Sequence, residues 1–213
     1  MSYAAYIFDL DGTLLNTLPD LVRLTNMVLS ENGWPERTSD EILSFVGNGG
    51  RVLLGRAAPA GTPGEKLDAA FARWQALYPT YGHAMTKPYA GIPETLAELK
   101  RGGALLGVLS NKFDAAAQSV IAEQFPDVFD LVRGECEEIP RKPDPAGLRY
   151  MMGQLGVQPS DVLYVGDSET DVKTAHCAGV ACVAVSWGYR SRETLAAAGA
   201  ATIIDNPSDL LLQ

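Results

Sequence analysis

Two aspartates one residue apart, Asp9 and Asp11, stand in the run Tyr6-Ile7-Phe8-Asp9-Leu10-Asp11-Gly12-Thr13-Leu14-Leu15. Carboxylates that close repel one another, and a cation makes both ionised forms cheap. All-oxygen donors select a hard divalent ion, so Mg2+ is the expected cofactor. Gly12 permits a tight turn and leaves room for a ligand near the backbone. A plain polar turn uses the same residue types for conformational reasons, and this stretch alone does not separate the two readings. Three further polar clusters bear on the choice. Ser110-Asn111-Lys112 offers a hydroxyl and amide donors for a phosphate, Arg141-Lys142-Pro143-Asp144 a cation for its charge, and Gly166-Asp167-Ser168-Glu169-Thr170-Asp171 more carboxylates. Each has a duller alternative: Ser110 as a turn cap, Lys142 as a solvated lysine, Asp167 as a helix N-cap, Asp171 as a first-turn acid favoured by the helix dipole.

The elements that must position these groups can be read from the pattern. Ala4 to Phe8 is a short apolar run closed by polar residues, which suits a buried parallel strand with chemistry beyond its carboxyl end. From Thr17 to Gly82 the pattern is helical. Pro19 starts a helix with Leu21, Leu24, Val28 and Leu29 on one face, and Thr38 to Glu41 has the spacing of a capping box. Val46-Gly47-Asn48-Gly49-Gly50-Arg51 interrupts before a third helix. Thr62-Pro63-Gly64-Glu65 repeats the capping-box spacing ahead of a long helix through Phe71, Trp74 and Tyr78, of which Trp74 and Tyr78, one turn apart, read as cap core in preference to a substrate stack. From Lys87 onward helices and strands alternate. Strands are expected at Ala104 to Leu109, Phe129 to Val132, Asp161 to Val165 and Ala181 to Val185, with Asp114 capping the helix after the first of these. Such alternation means a parallel sheet covered by helices. The expected fold is α/β: a Rossmann-like parallel sheet core, residues 1–15 and 84–213, with an inserted all-helical cap domain, residues 16–83. In that fold the clusters at Asp9, Ser110 and Gly166 each follow a strand and share one rim.

Composition narrows the partners. The 213 residues are 46% hydrophobic and 20% charged, enough for a substantial core. A formal net charge of -9 argues against nucleic acid, which is bound by excess Lys and Arg. An anionic substrate would then be drawn by a local group of cations and not by the overall field. Cys136, Cys177 and Cys182 have no metal-like spacing and read as reduced thiols of a cytoplasmic protein. No signal peptide or membrane span is expected. His83 and His176 fall in no cluster and read as structural.

The four motifs, Asp-Leu-Asp-Gly-Thr, Ser-Asn-Lys, Lys-Pro-Asp-Pro and Gly-Asp-Ser-Glu-Thr-Asp, together resemble the haloacid dehalogenase-like superfamily of phosphatases. The resemblance extends over essentially the whole chain, including a helical cap after the first motif. Val46-Gly47-Asn48-Gly49, Arg56-Ala57 and Tyr89-Ala90-Gly91-Ile92-Pro93-Glu94-Thr95-Leu96 are similar to the phosphoglycolate phosphatase group. The resemblance implies Asp9 as nucleophile and Asp11 as acid and base. It implies Mg2+ held by the Asp9 side chain, the Asp11 carbonyl and Asp167. Gly12, Ser110, Asn111 and Lys142 would bind phosphate, with Asp171 supporting Lys142 or a metal-bound water. Within the superfamily, dehalogenases lack an acid equivalent to Asp11, mutases would carry a cap histidine before His83, and a phosphonatase would have only Lys66 in the cap. The expected activity is hydrolysis of a small phosphorylated metabolite by a monomer or small homo-oligomer. Inorganic pyrophosphatase is the nearest enzymatic rival, and a phosphate-sensing binding protein the rival of another class. In the cap, Asn48 and Arg51 are the candidates for substrate recognition, with Arg23 as an alternative to Arg51.

Overall fold

The computed structural model describes residues 3–213. They form two compact units, one made by the chain up to Asn16 together with Pro88–Gln213, the other by Thr17–Lys87. In chain order the elements are β1 (Ala5–Phe8), β2 (Leu15–Asn16), α1 (Leu18–Glu31), α2 (Ser39–Phe45), α3 (Gly50–Ala57), α4 (Gly64–Tyr81) and β3 (Lys87–Pro88). There follow α5 (Ile92–Arg101), β4 (Leu105–Phe113), α6 (Asp114–Gln124), β5 (Leu131–Glu135), α7 (Ala146–Leu155), β6 (Val162–Gly166), α8 (Glu169–Ala178), β7 (Ala181–Val185), α9 (Arg192–Ala197) and β8 (Ile203–Ile204).

The first unit is a six-stranded sheet in the order β5-β4-β1-β6-β7-β8, parallel throughout. β1 lies between β4 and β6, with Phe8 opposite Val108 on one side and Val165 on the other. All four residues of β1 are buried, as expected of a parallel strand covered on both faces. Tyr6 and Phe8 pack on one face with Leu106, Val108, Leu163 and Val165. Ala5 and Ile7 pack on the other with Leu109, Met151 and Tyr164. The chain first builds outward from β1 through β4 to β5, then crosses to β6 and builds the other way. The order therefore reverses at β1, the place where open α/β sheets hold their ligands.

Several boundaries differ from expectation for identifiable reasons. β4 does not stop at Leu109. It continues to Phe113 through a register shift against β5, so Ser110, Asn111 and Lys112 lie inside the strand. Gly134 on β5 permits this, because a Cβ there would lie 2.4 Å from the Lys112 carbonyl oxygen. The strand expected at Phe129 begins at Leu131; the Phe129 ring instead packs edge-on against Phe8 and Phe125. Asp114 is the first residue of α6 and not its cap, and its carboxylate accepts from the Gly134 amide at 2.8 Å. β8, a two-residue strand, was too short to leave a pattern.

In the second unit Thr38 and Glu41 form the expected capping box at α2. The second expected capping box is absent: Thr62 donates its hydroxyl to the Pro59 carbonyl, and Pro63 stands at the N-cap of α4. Trp74 and Tyr78 are buried with Leu24, Val28, Ile42 and Leu54. Asp20, fully buried on α1, accepts from the Met85 amide and the Thr86 hydroxyl, tying the start of this unit to its end. No helix among the described residues is long and apolar enough to cross a membrane.

Ile7 is fully buried at the centre of the sheet. Ile7→Ala is expected to remove about 2–5 kcal/mol from the stability of the sheet unit, measured by urea denaturation. An unchanged midpoint would contradict this packing.

Candidate active site

The ends of β1, β4 and β6 deliver the polar clusters to one rim. Asp9 directly follows β1, and its amide still donates to the Val165 carbonyl of β6 at 2.8 Å. The Lys142 ammonium lies 2.7 Å from Asp9 Oδ1 and 2.7 Å from Asp171 Oδ1, and 3.1 Å from the Tyr164 hydroxyl. Lys142 is held from β4: its amide donates to Asn111 Oδ1 at 2.8 Å, and Asn111 Nδ2 donates to its carbonyl at 3.1 Å. Asp171 sits in the first turn of α8, where Oδ2 accepts from the Ser168 amide and hydroxyl to complete a capping box. Asp11 pairs with Lys112, whose Nζ is 2.9 and 3.1 Å from its two carboxylate oxygens. Ser110 is buried and its hydroxyl accepts from the Lys112 amide at 3.2 Å.

Asp167, the first residue after β6, is enclosed by backbone. Its Oδ2 accepts from the Tyr189 amide at 2.6 Å. A Cβ on Gly188 would lie 2.3 Å from Asp167 Cβ, and one on Gly12 would lie 2.3 Å from Asp167 Oδ2. Gly12 also has φ of 90°, a conformation natural only to glycine. Its amide donates to Leu15, so what it visibly supplies is space and a turn. Trp187 donates its indole N–H to the Thr13 carbonyl at 3.0 Å, fastening the segment after β7 to the loop after β1.

The electrostatics are those of crowded acids. Burial first, and the charges of Asp171 and Asp11 after it, push Asp9 up to about 7 against the pull of Lys142. Burial, then Asp9 and Asp171, hold Asp167 well above the usual carboxylate range. Burial alone would lower Lys142, but Asp171 and Asp9 outweigh it and keep the ammonium charged.

A family model described as haloacid dehalogenase-like hydrolase matches residues 6–185. This chain belongs to the haloacid dehalogenase-like hydrolase family. Phosphoglycolate phosphatase 1 of Pseudomonas aeruginosa is 36% identical over 211 residues, covering 96% of this chain and 77% of that protein. Phosphoglycolate phosphatase of Rhodospirillum rubrum is 37% identical over 215 residues, covering 97% and 88%. A crystal structure from Lactobacillus delbrueckii subsp. bulgaricus, provisionally assigned as a phosphoglycolate phosphatase, matches with a TM-score of 0.91. It is 31% identical and covers 99% of this chain and 97% of its own.

In this member of the family, Asp9, Asp167 and Asp171 can each place a carboxylate oxygen within 4.8 Å of the others. Lys142 compensates one of three charges, and a divalent cation matches the remainder, so the donor set fits Mg2+. Both Asp171 oxygens are already engaged, by Lys142 and Tyr164 on one side and Ser168 on the other. Asp167 Oδ1 accepts only a long hydrogen bond, 3.4 Å from the Thr13 hydroxyl, so Asp9 and Asp167 are the side chains better suited to hold it. The sheet thus brings Asp9, Asp11, Gly12, Ser110, Asn111, Lys142, Asp167 and Asp171 to one rim. Asn48 and Arg51 belong to the helical unit, where Arg51 pairs with Asp68 at 2.6 Å. Arg23 in the same unit stacks on Tyr81. Sequence reasoning missed Gly188 and Tyr189, although a glycine between two aromatics just after an apolar strand was visible in Trp187-Gly188-Tyr189.

A Cβ at position 188 must displace Asp167. Gly188→Ala is therefore expected to weaken Mg2+ binding about 10- to 100-fold, read by titration calorimetry of the unliganded protein. Unchanged affinity would show that this segment yields without moving Asp167.

Proposed function

We propose that this protein is a cytoplasmic, Mg2+-dependent phosphatase that hydrolyses a small phosphate monoester of the phosphoglycolate kind through an aspartyl-phosphate on Asp9. The observation that carries the reading is the Asp9 carboxylate beyond the central strand, 2.7 Å from a buried ammonium and in one cluster with Asp167. A carboxylate can attack an anion only where the anion's charge is neutralised. Bound Mg2+, held by Asp9, Asp167 and the Asp11 carbonyl, would supply part of that neutralisation.

The protein's own groups supply the rest. An Asp9 oxygen forms a bond to phosphorus as the bond from phosphorus to the leaving group's oxygen breaks, and Asp11 gives the departing oxygen a proton so that it leaves as the alcohol. Asp11 then takes a proton from water as the water attacks phosphorus, releasing inorganic phosphate and restoring Asp9. Lys142 and the Ser110 hydroxyl bind phosphoryl oxygens. The Asn111 carboxamide serves by holding the Lys142 backbone, and Asp171 holds its ammonium.

Substrate choice falls in this reading to the helical unit, Thr17–Lys87, acting as the cap. The names of the relatives support a small phosphorylated acid. Arg51 and Asn48 are the proposed partners of its second anionic group. The Arg51–Asp68 pair is exposed on both sides, and such pairs are worth only about 0–1 kcal/mol, so a carboxylate can take its place.

Three outcomes test the reading. Asp9→Asn keeps the shape and removes the nucleophile, so phosphate release should fall by at least about 1,000-fold, or roughly 4 kcal/mol in the barrier, with the fold retained by circular dichroism. Steady turnover by that variant would exclude the covalent route. Activity should disappear in excess EDTA and return with Mg2+; full activity after metal removal would contradict the cofactor. Arg51→Ala should raise KM for phosphoglycolate about tenfold while leaving a neutral aryl phosphate nearly unchanged, and equal effects on both would place Arg51 outside recognition.

A further inference from the structure

Lys112 takes no part in the steps above, yet its side chain is only 3% exposed. Its ammonium contacts both oxygens of Asp11, 101 residues away in the chain. Burying an ammonium costs solvation that an ion pair repays poorly, and apolar residues of similar volume often serve stability as well. The pair is better explained by what it does to Asp11. Asp11 sits in a turn on a short side chain, and a donor shared by both oxygens fixes the plane of its carboxyl group. Lys112 is itself held firmly. It lies within β4, its amide donates to Ser110 Oγ, and the backbone of Gly134 across the register shift passes close to its carbonyl.

We propose that Lys112 is a positioning residue that fixes the plane of the Asp11 carboxyl group, keeping its contact with one oxygen while the other carries the proton that reaches the leaving oxygen. The proposal rests on the phosphatase reading and adds to it a residue that acts only through Asp11. Its signature is a dependence on the leaving group. An alkyl ester expels a basic alkoxide that needs the proton, whereas a nitrophenyl ester expels a stabilised phenolate that needs it little.

The test compares kcat/KM, which reports transfer to Asp9 and not the later hydrolysis common to all esters. For Lys112→Met the expected loss is about 100-fold with phosphoglycolate and under about fivefold with nitrophenyl phosphate, within the usual range of general acid catalysis. Inhibition by inorganic phosphate should change less than about threefold. Lys112→Arg, which keeps the cation, should recover at least about a tenfold part of the loss. In an Asp11→Asn background, Lys112→Met should cost less than about twofold more, since the two act as one unit. Equal losses on both esters, or losses that add to Asp11→Asn, would overturn the proposal. If thermal melting shows that Lys112→Met does not fold, the same ester ratio is read on Lys112→Arg, where equal losses again overturn it. Wild-type protein that hydrolyses neither ester overturns the phosphatase reading and this proposal with it. Wild-type activity on both, with the ratio unmoved by substitution, overturns this proposal alone.

Discussion

Three carboxylates whose oxygens approach within 4.8 Å, in a place nearly closed to water, are the constraint on which the rest of the structure depends. Each ionised pair at that distance repels by on the order of 3 kcal/mol at an effective dielectric constant near 20. The surrounding structure answers with fixed partners. Lys142 bridges Asp9 and Asp171, and Asn111 clamps the Lys142 backbone from β4. Ser168 holds Asp171, and the Tyr189 amide holds Asp167. Two glycines, Gly12 and Gly188, leave Asp167 the space in which it is confined. The donor set so built fits a divalent cation.

The sheet and its rim were legible for a physical reason. Parallel strands buried on both faces read as unbroken apolar runs, and their carboxyl ends are marked by the abrupt return of polar residues. Asp9 and Asp167 could be placed on that basis. What lay beyond reach was fixed by distant chain. The extension of β4 through Ser110, Asn111 and Lys112 depends on Gly134 of the neighbouring strand, and no local pattern around Lys112 names Asp11 as its partner. Asp171 was read either as a helix-end acid or as a support for Lys142, and in the structure one carboxylate does both. In the helical unit, Thr62 and Glu65 had capping-box spacing, but Pro63 set a backbone in which the Thr62 hydroxyl turned to Pro59. Spacing is necessary for such a motif and not sufficient.

The division of the chain carries a consequence for its synthesis. The helical unit is one continuous stretch, Thr17–Lys87, so all of its own contacts are in hand as soon as that stretch has left the ribosome. β1 precedes the other strands of the sheet in the chain, yet it has no neighbour until Leu105–Val108 appears and no second one until Val162–Val165. Its four apolar residues wait through about 100 further residues for the first partner and about 150 for the second, and contacts of such long sequence separation form slowly. A waiting strand of this kind is an exposed edge that other chains can pair with. Brevity is its protection: four residues offer too short a template to hold a stranger, and the two aspartates just beyond them, which in the folded protein pair with Lys142 and Lys112, in the nascent chain simply keep company away.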